Sequence, residues 1–370
     1  MQPHVDYRTP ATDYKRLHNF SAGPGVLPES VLLEIREELP VYGDIGASVM
    51  EISHRSPEYT AIVESADATL RKLLGLGDDW HILYLQGGAS LQFYQVPLNF
   101  LPAAGSADYL VTGSWAKKAL AEAKRIGTPR VAASSDDRNF SYIPPVEVRS
   151  FNENAAYVHF TSNNTIFGTQ FREEPVAPAP LVCDASSDFL SRPIDLDKYG
   201  LIYAGAQKNL GPAGVTLVLI RDSFLQERNP NLPTMLDYGT HIGTLFNTPP
   251  VFAVYVVEKV LRWLDGLGGL DAIQRQNEEK AGILYERIDR TDFYRGTAEK
   301  SSRSLMNVCF RLASEDLEKR FIADAKEAGL LALKGHRSVG GIRASIYNAC
   351  PVASVEALVN FMDDFEQRNG

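Results

Sequence analysis

The strongest constraint on the fold is a set of short apolar runs with no polar face. AAYVHFTS, PLVCDAS, GLIYAGA and VTLVLI lie between residues 155 and 220, and HILYL and ADYLVTG lie upstream. Strands that do not alternate polar and apolar must be covered on both faces, which is the habit of parallel sheets. Helical patterns stand between the upstream runs. PESVLLEIREEL places Val31, Leu32, Ile35 and Leu39 on one face. SPEYTAIVESADATLRKLLG offers Ser56 as N-cap, Pro57 as first helical residue and Gly75 as the stop. LQFYQVPLNFL and SWAKKALAEAKRIG read as two more helices. The expected fold is α/β, a mixed and mostly parallel sheet with helices on both faces.

A long helical region through residues 249–290 follows, punctuated by Gly266 to Gly269, which reads as a hinge. Beyond it come a strand (SLMNVCFRL), a helix (EDLEKRFIADAKEAG), a strand (GIRASIYNA) and a last helix (SVEALVNFMDDFEQR), a small α+β domain. The expected division is a polar extension over 1–18, a large domain over 19–266 whose first residues can pack on the small domain, and a small domain over 267–370. The extension carries Pro3 and Pro10 and reads as a flexible or surface-draped arm. Its first 18 residues hold no apolar core of a signal peptide. The formal charge of -9 and the lack of basic runs with interleaved aromatics argue against nucleic acid. No apolar run is long enough to span a membrane. The three cysteines, Cys183, Cys309 and Cys350, are scattered and odd in number, so neither a disulfide framework nor a zinc spacing follows. A reducing, cytoplasmic setting is expected.

Ligands of α/β sheets bind beyond the carboxyl ends of the strands. YAGAQKNLGPAGV places one charged residue, Lys208, in a tight turn between two buried strands. An ammonium forced inward loses hydration, and its pKa falls toward that of a usable amine. After HILYL, the glycines of QGGAS open a helix whose free N–H groups suit a phosphate; the same residues also make a plain strand-to-helix turn. Trp115 follows another strand and suits either a core or a stacking surface. The polar stretch TSNNTIFG, with Thr165, follows a third strand. Asp184 ends a fourth, as a helix cap or as a buried carboxylate awaiting a cation. Together these parts meet the needs of pyridoxal 5'-phosphate: a lysine amine for its aldehyde, a carboxylate for its pyridinium nitrogen, an aromatic face and a phosphate cradle.

The stretches NFSAGPGVLPESVL, SVMEISHRSPEY, VTGSWAKKALAEAK, SRPIDLDKYGLIYAGAQKNLGPAGVT, LFNTPPVFAVY and LKGHRSVGGIRASIYNA resemble those of the phosphoserine aminotransferases. The resemblance runs from Asn19 to the C-terminus. It implies a fold-type I pyridoxal-phosphate transferase of class V, working as a homodimer with shared active sites. By position, Lys208 would carry the cofactor and Asp184 would pair with its ring nitrogen. Trp115 would stack on the ring and Thr165 would bond its polar edge. Ala89, Ser90 and Gln207 would face its phosphate, joined by Asn247 and Thr248 of the other subunit. Arg343 would hold the substrate carboxylate. His336 and Arg337, with His54 and Arg55 of the partner, would hold the substrate's phosphate. The implied reaction turns 3-phosphohydroxypyruvate and L-glutamate into O-phospho-L-serine and 2-oxoglutarate, a step of serine biosynthesis. The resemblance leaves open a second keto acid substrate, related to 4-phosphohydroxythreonine, in vitamin B6 synthesis.

The chain departs from the pattern at Ser90, where some relatives carry arginine, and in the extension, which has no family counterpart. Read from the residues alone, the doubled His-Arg pair is open between two surface pairs and an anion pocket; the glycines after Arg337 favour the pocket. Rival readings are a serine–glyoxylate aminotransferase, a cysteine desulfurase, a nucleotide-binding dehydrogenase and a non-catalytic binding module. The paired HR motifs, the absent GxGxxG and the presence of both Lys208 and Asp184 weigh against them.

Overall fold

The computed structural model describes residues 15–370. The reading of an extended arm therefore falls outside the described residues for its first 14 positions. The first element is β1 (His18–Asn19), so the boundary read at residue 18 lies inside a strand. It is followed by α1 (Glu29–Glu38), α2 (Pro57–Leu74), β2 (Trp80–Leu85), α3 (Gly88–Phe100), β3 (Ser106–Val111), α4 (Ser114–Ala123) and β4 (Arg130–Ser134). Then come β5 (Ala155–Thr161), β6 (Leu181–Asp184), β7 (Tyr199–Gly205), β8 (Thr216–Arg221), α5 (Asp222–Gln226), α6 (Val251–Gly266) and α7 (Gly269–Asp289). The chain closes with β9 (Arg295–Gly296), β10 (Asn307–Arg311), α8 (Glu315–Glu327), β11 (Leu330–Leu331), β12 (Ile342–Ser345) and α9 (Val352–Asn369).

Helix α2 forms for the reasons legible in its ends. Ser56 Oγ accepts from Tyr59 N at 3.3 Å, Pro57 stands first, and Gly75 closes the helix at φ 68°, a left-handed value that a side chain would resist. Its buried Tyr59, Ile62, Ala66 and Leu70 recur at helical spacing.

The main sheet has seven strands in the order β2-β8-β7-β6-β5-β3-β4. The neighbours from β7 to β4 pair in parallel, whereas β8 is antiparallel to both β7 and β2. Two reversals restore direction, so β2 runs with the rest and β8 alone is reversed. Alternate residues of each strand feed two cores. Val158 and Phe160 of β5 join Cys183, Ile202 and Leu219 under α2 and α6. Tyr157 joins Val182, Leu201, Tyr203 and Val218 under α3 and α4. A third core holds the C-terminal elements: Phe310 and Ala344 of the β12-β10-β9 sheet pack with Leu284 of α7, Phe321 of α8 and Leu358, Met362 and Phe365 of α9. Phe20 belongs to this third core, and β1 pairs in parallel with β11. The chain's first described strand thus lies with its last elements. No helix among the described residues is long and apolar enough to cross a membrane.

Helix α1 docks on α6 through charge. Lys259, only 5% exposed, holds Glu34 at 2.6 Å and Glu38 at 2.8 Å, and Arg262 also reaches Glu34 at 2.6 Å. Breaking such a buried cluster by removing one partner costs about 3–5 kcal/mol, because the remaining charges lose their counter-ion. Lys259→Met should therefore lower the unfolding free energy in urea by an amount of that order. An unchanged transition midpoint would show that this clamp contributes nothing.

Candidate active site

The carboxyl ends of β2, β3, β5, β6 and β7 share one edge of the sheet, and the chemistry-bearing residues stand there. β7 ends at Gly205, and Lys208 follows in the turn to β8. Its ammonium donates to Thr165 Oγ1 at 2.9 Å and lies 5.7 Å from the centre of a Trp115 ring. Burial pushes the Lys208 ammonium below its usual range; Asp184 opposes that shift, and the Arg343 guanidinium adds to it. Asp184 is the last residue of β6 and is 5% exposed. Burial pushes its carboxyl up, and the charge of Lys208 and a 3.1 Å bond from Ser186 N pull it back only in part.

Thr165 is the hub. Its hydroxyl accepts from Lys208, and its carbonyl accepts from Arg343 Nη1 at 3.1 Å. Arg343 stands in β12, so this bond joins the small sheet to the strand-end loop that follows β5. Trp115 and Ser114 begin α4 directly after β3. Helix α3 begins at Gly88 behind Gly87 in the left-handed region, at φ 89°, with no side chain capping it. The N–H groups of Gly88, Ala89 and Ser90 form its first turn, which has no intrahelical acceptors. Gln207 precedes Lys208, and its carbonyl accepts from Gly25 N at 2.7 Å.

His336 sits in the loop after β11, half-buried, with Nδ1 2.7 Å from Ser338 Oγ; Arg337 beside it is exposed. Burial, and then the cations Arg343, Arg337 and Lys118, hold the His336 imidazole below its ordinary range. Lys118 was not read from the sequence. It lies three residues after Trp115 on α4 and its ammonium lies 4.3 Å from that ring's centre, a placement that i,i+3 spacing could have revealed.

The remaining residues have no hydrogen bond or ion pair to this group among the described residues. His54 lies in the bend before α2 with a buried Nε2 that has no hydrogen-bond partner, and Arg55 is exposed. Asn247 Nδ2 instead reaches Gln86 Oε1 at 3.2 Å, and Gln86 Nε2 reaches the Thr248 carbonyl at 3.4 Å. These two lie beside Leu245 and Phe246, which are 44% and 51% exposed. A groove of about 290 Å³ runs along this loop against Tyr59, Val63 and Leu85.

The site fits pyridoxal phosphate on three observations. The buried Asp184 carboxylate accepts one hydrogen bond and, among the described residues, forms no ion pair within 4 Å. Trp115 Nε1 and Arg343 Nε are buried and unpartnered. The first turn of α3 presents N–H donors at the same edge. No cluster of side chains able to hold a metal occurs among the described residues.

This fold, with a lysine at that strand end, defines an aminotransferase of class V, and residues 17–358 match the family described as aminotransferase class-V. Phosphoserine aminotransferase of Geobacillus kaustophilus is 53% identical over 357 residues, covering 96% of this chain and 99% of that protein. The solved phosphoserine aminotransferase of Bacillus circulans subsp. alkalophilus superposes with a TM-score of 0.94 at 50% identity, covering 96% of this chain and 99% of that one. A PLP-bound phosphoserine aminotransferase from Trichomonas vaginalis gives a TM-score of 0.90 at 39% identity, covering 94% and 100%. The chain belongs to the class V aminotransferases and, within them, to the phosphoserine aminotransferase family.

The cations around His336 make a sign prediction. They disfavour the imidazolium in the free protein, whereas a bound dianion favours it. Titrating the His336 ring by NMR should give an apparent pKa below the usual histidine value, rising when inorganic phosphate is added. A midpoint that ignores phosphate would remove His336 from any anion site.

Proposed function

We propose that this enzyme transfers the amino group of L-glutamate to 3-phosphohydroxypyruvate, giving 2-oxoglutarate and O-phospho-L-serine, with pyridoxal phosphate as cofactor. The observation that carries the reading is the Lys208–Asp184–Thr165–Arg343 constellation, in a chain half-identical to phosphoserine aminotransferases over nearly its whole length. The serine–glyoxylate alternative has no comparable support.

When bound, the cofactor supplies an electron sink that stabilises negative charge developing at the substrate's α-carbon. Lys208 Nζ would anchor it covalently, Asp184 would face its ring nitrogen, Trp115 its ring and Thr165 its polar edge. Gln207, Ala89 and Ser90 would hold its phosphate, with Ser90 offering a hydroxyl and backbone N–H where some relatives have arginine. The protein's own part in catalysis is proton transfer. Lys208 Nζ takes the α-proton of the amino acid and returns it, and a lowered amine pKa brings that base closer to working pH. Thr165 Oγ1 orients Nζ. Arg343, with its unpartnered Nε, offers a planar fork to the α-carboxylate shared by both substrates.

His336 and Arg337 would hold the far anion. A charge-assisted hydrogen bond contributes about 1.5–3 kcal/mol, so losing one or two costs roughly ten- to ten-thousand-fold. Arg337→Leu should lower catalytic efficiency strongly with phosphohydroxypyruvate, less with glutamate, and little with unphosphorylated hydroxypyruvate, on which the parent should already be poor. Arg343→Leu should impair all three. Half-reaction kinetics followed by cofactor absorbance measure this. Equal losses for phosphorylated and unphosphorylated keto acids in Arg337→Leu would leave a transaminase acting on some other substrate.

The proposed working form is a homodimer in the cytoplasm. Asn247 and Thr248 would serve the neighbouring subunit's cofactor phosphate, and His54 and Arg55 its substrate. The exposed apolar Leu245 and Phe246 beside Asn247 support that arrangement. Mixing Lys208→Ala chains with Asn247→Ala/Thr248→Ala chains should then restore part of the activity, since one site of each hybrid is complete. Hybrids that form and stay inactive would place the pair in cis. A second substrate, the keto acid related to 4-phosphohydroxythreonine in vitamin B6 synthesis, uses the same two anion contacts and belongs to the same proposal.

A further inference from the structure

Lys280 is a fully buried lysine, 0% exposed, on α7. It pairs with no carboxylate among the described residues. Its ammonium instead donates to backbone carbonyls of one turn: Tyr347 O at 2.7 Å, Cys350 O at 3.1 Å, Ile346 O at 3.2 Å and Asn348 O at 3.4 Å. A buried charge without a counter-ion is costly and persists where its donors are all used. Burial pushes the Lys280 amine down to about 8, so near neutrality it keeps its three N–H groups.

The turn that Lys280 gathers is tied directly to the site. Asn348 N donates to Asn209 Oδ1 at 2.9 Å, and Asn209 adjoins Lys208. Asn209 Nδ2 donates to Phe189 O at 3.1 Å, and Asn348 Nδ2 donates to Leu190 O at 2.9 Å, in the segment that follows Asp184. Asn277, one turn before Lys280, donates to Asn348 Oδ1 at 2.9 Å and to Ser191 O at 3.2 Å. Tyr347 OH donates to Ala22 O at 2.7 Å. The carbonyls of the turn point at Lys280 while the amide and side chain of Asn348 point at the loops carrying Lys208 and Asp184. Fixing the first fixes the second.

We propose that Lys280 is a positioning residue for the reaction, holding the 346–350 turn so that Asn348 and Asn209 fix the backbone on which Lys208 stands. The inference rests on the assignment of Lys208 as the reacting amine. A misplacement of order 1 Å at a reacting group costs about 10²-fold in rate. Lys280→Met keeps the length of the side chain and removes the donors, and kcat should fall by about that factor in both half-reactions, per active site loaded. The absorbance of the bound cofactor, titrated with pH, should shift its midpoint, because it reports the Lys208 amine. Lys259→Met, which loosens a clamp elsewhere, should leave that midpoint in place. In the cofactor-free protein, the amides of residues 205–211 should exchange faster in Lys280→Met than in the parent. Asn209→Ala cuts the same chain at its far end without disturbing the buried ammonium, and decides the matter if Lys280→Met does not fold. The double variant Lys280→Met/Asn209→Ala should lose no more than the worse single change, as expected for two links of one chain. Parental kcat and an unmoved midpoint in a folded Lys280→Met, or parental kcat in Asn209→Ala, overturn the proposal. So does a double variant whose loss is the product of the two. Lys208→Ala tells the two readings apart. If it is inactive while Lys280→Met is not, only the positioning role falls; if it turns over normally, the transaminase assignment of Lys208 falls as well.

Discussion

The structure depends on two opposite charges placed where burial penalises both. The Lys208 ammonium is driven down and the Asp184 carboxyl driven up, and each is the other's main electrostatic relief. A parallel sheet makes this placement simple. β6 and β7 are parallel neighbours, with Asp184 opposite Tyr203, so a residue ending one strand and a turn leaving the next open on the same side. The reversed β8 allows the Lys208 turn to be tight, since an antiparallel neighbour needs no crossover helix. A carboxylate and an amine held apart with their affinities for protons displaced form a site in which charge developing on a ligand replaces the solvent each group has lost.

A second balance is set between the whole chain and the cations around His336. The protein carries a formal charge of -9, yet His336, Arg337, Arg343 and Lys118 gather at the cleft. The local field is positive where the chain as a whole is negative, so an anion is favoured there more than elsewhere on the surface. Thr165 links the two balances, since one residue accepts from the Lys208 ammonium by its hydroxyl and from the Arg343 guanidinium by its carbonyl. Movement of the small sheet therefore reaches Lys208 through Thr165 as well as through the Asn348–Asn209 link.

Much of this was legible in the sequence because it is local. The ends of α2 declare themselves through Ser56, Pro57 and Gly75, and the apolar runs mark β2, β3 and β5 to β8. The strand ends then locate Lys208, Asp184, Trp115 and Thr165 without knowledge of strand order. Of the two edges of the main sheet, β2 carries an apolar run and β4 does not. β4 was missed because Arg130 and Val131 are exposed and the run is short. The pairing of β1 with β11 joins two-residue strands more than three hundred positions apart, and nothing in either segment announces the other. Lys118 and Lys280 stayed hidden for a related reason. A lysine on an amphipathic helix reads as solvated, and only the tertiary fold shows that Lys280 faces inward toward a turn. His54, Arg55, Asn247 and Thr248 were named through family resemblance, and no spacing in one chain links them to the rest.

The position of β1 has a consequence for the order in which the molecule is made. A chain emerging from the ribosome presents residues 18–22 long before their partners, which stand more than three hundred positions later. His18 N bonds Gly329 O, and Ala22 O accepts from Tyr347, 325 positions away. Gly25 packs so closely that a Cβ there would stand 2.9 Å from Lys208 O and 2.8 Å from the Tyr347 ring. The large sheet can assemble as its strands appear, from nearby partners. The segment cannot dock until residues 329–347 have been made, so the wall of the cleft beside Lys208 is among the later parts of the fold to close. Closure of the wall beside Lys208 thus depends on a contact that spans more than three hundred positions, and not on the strands that flank the lysine.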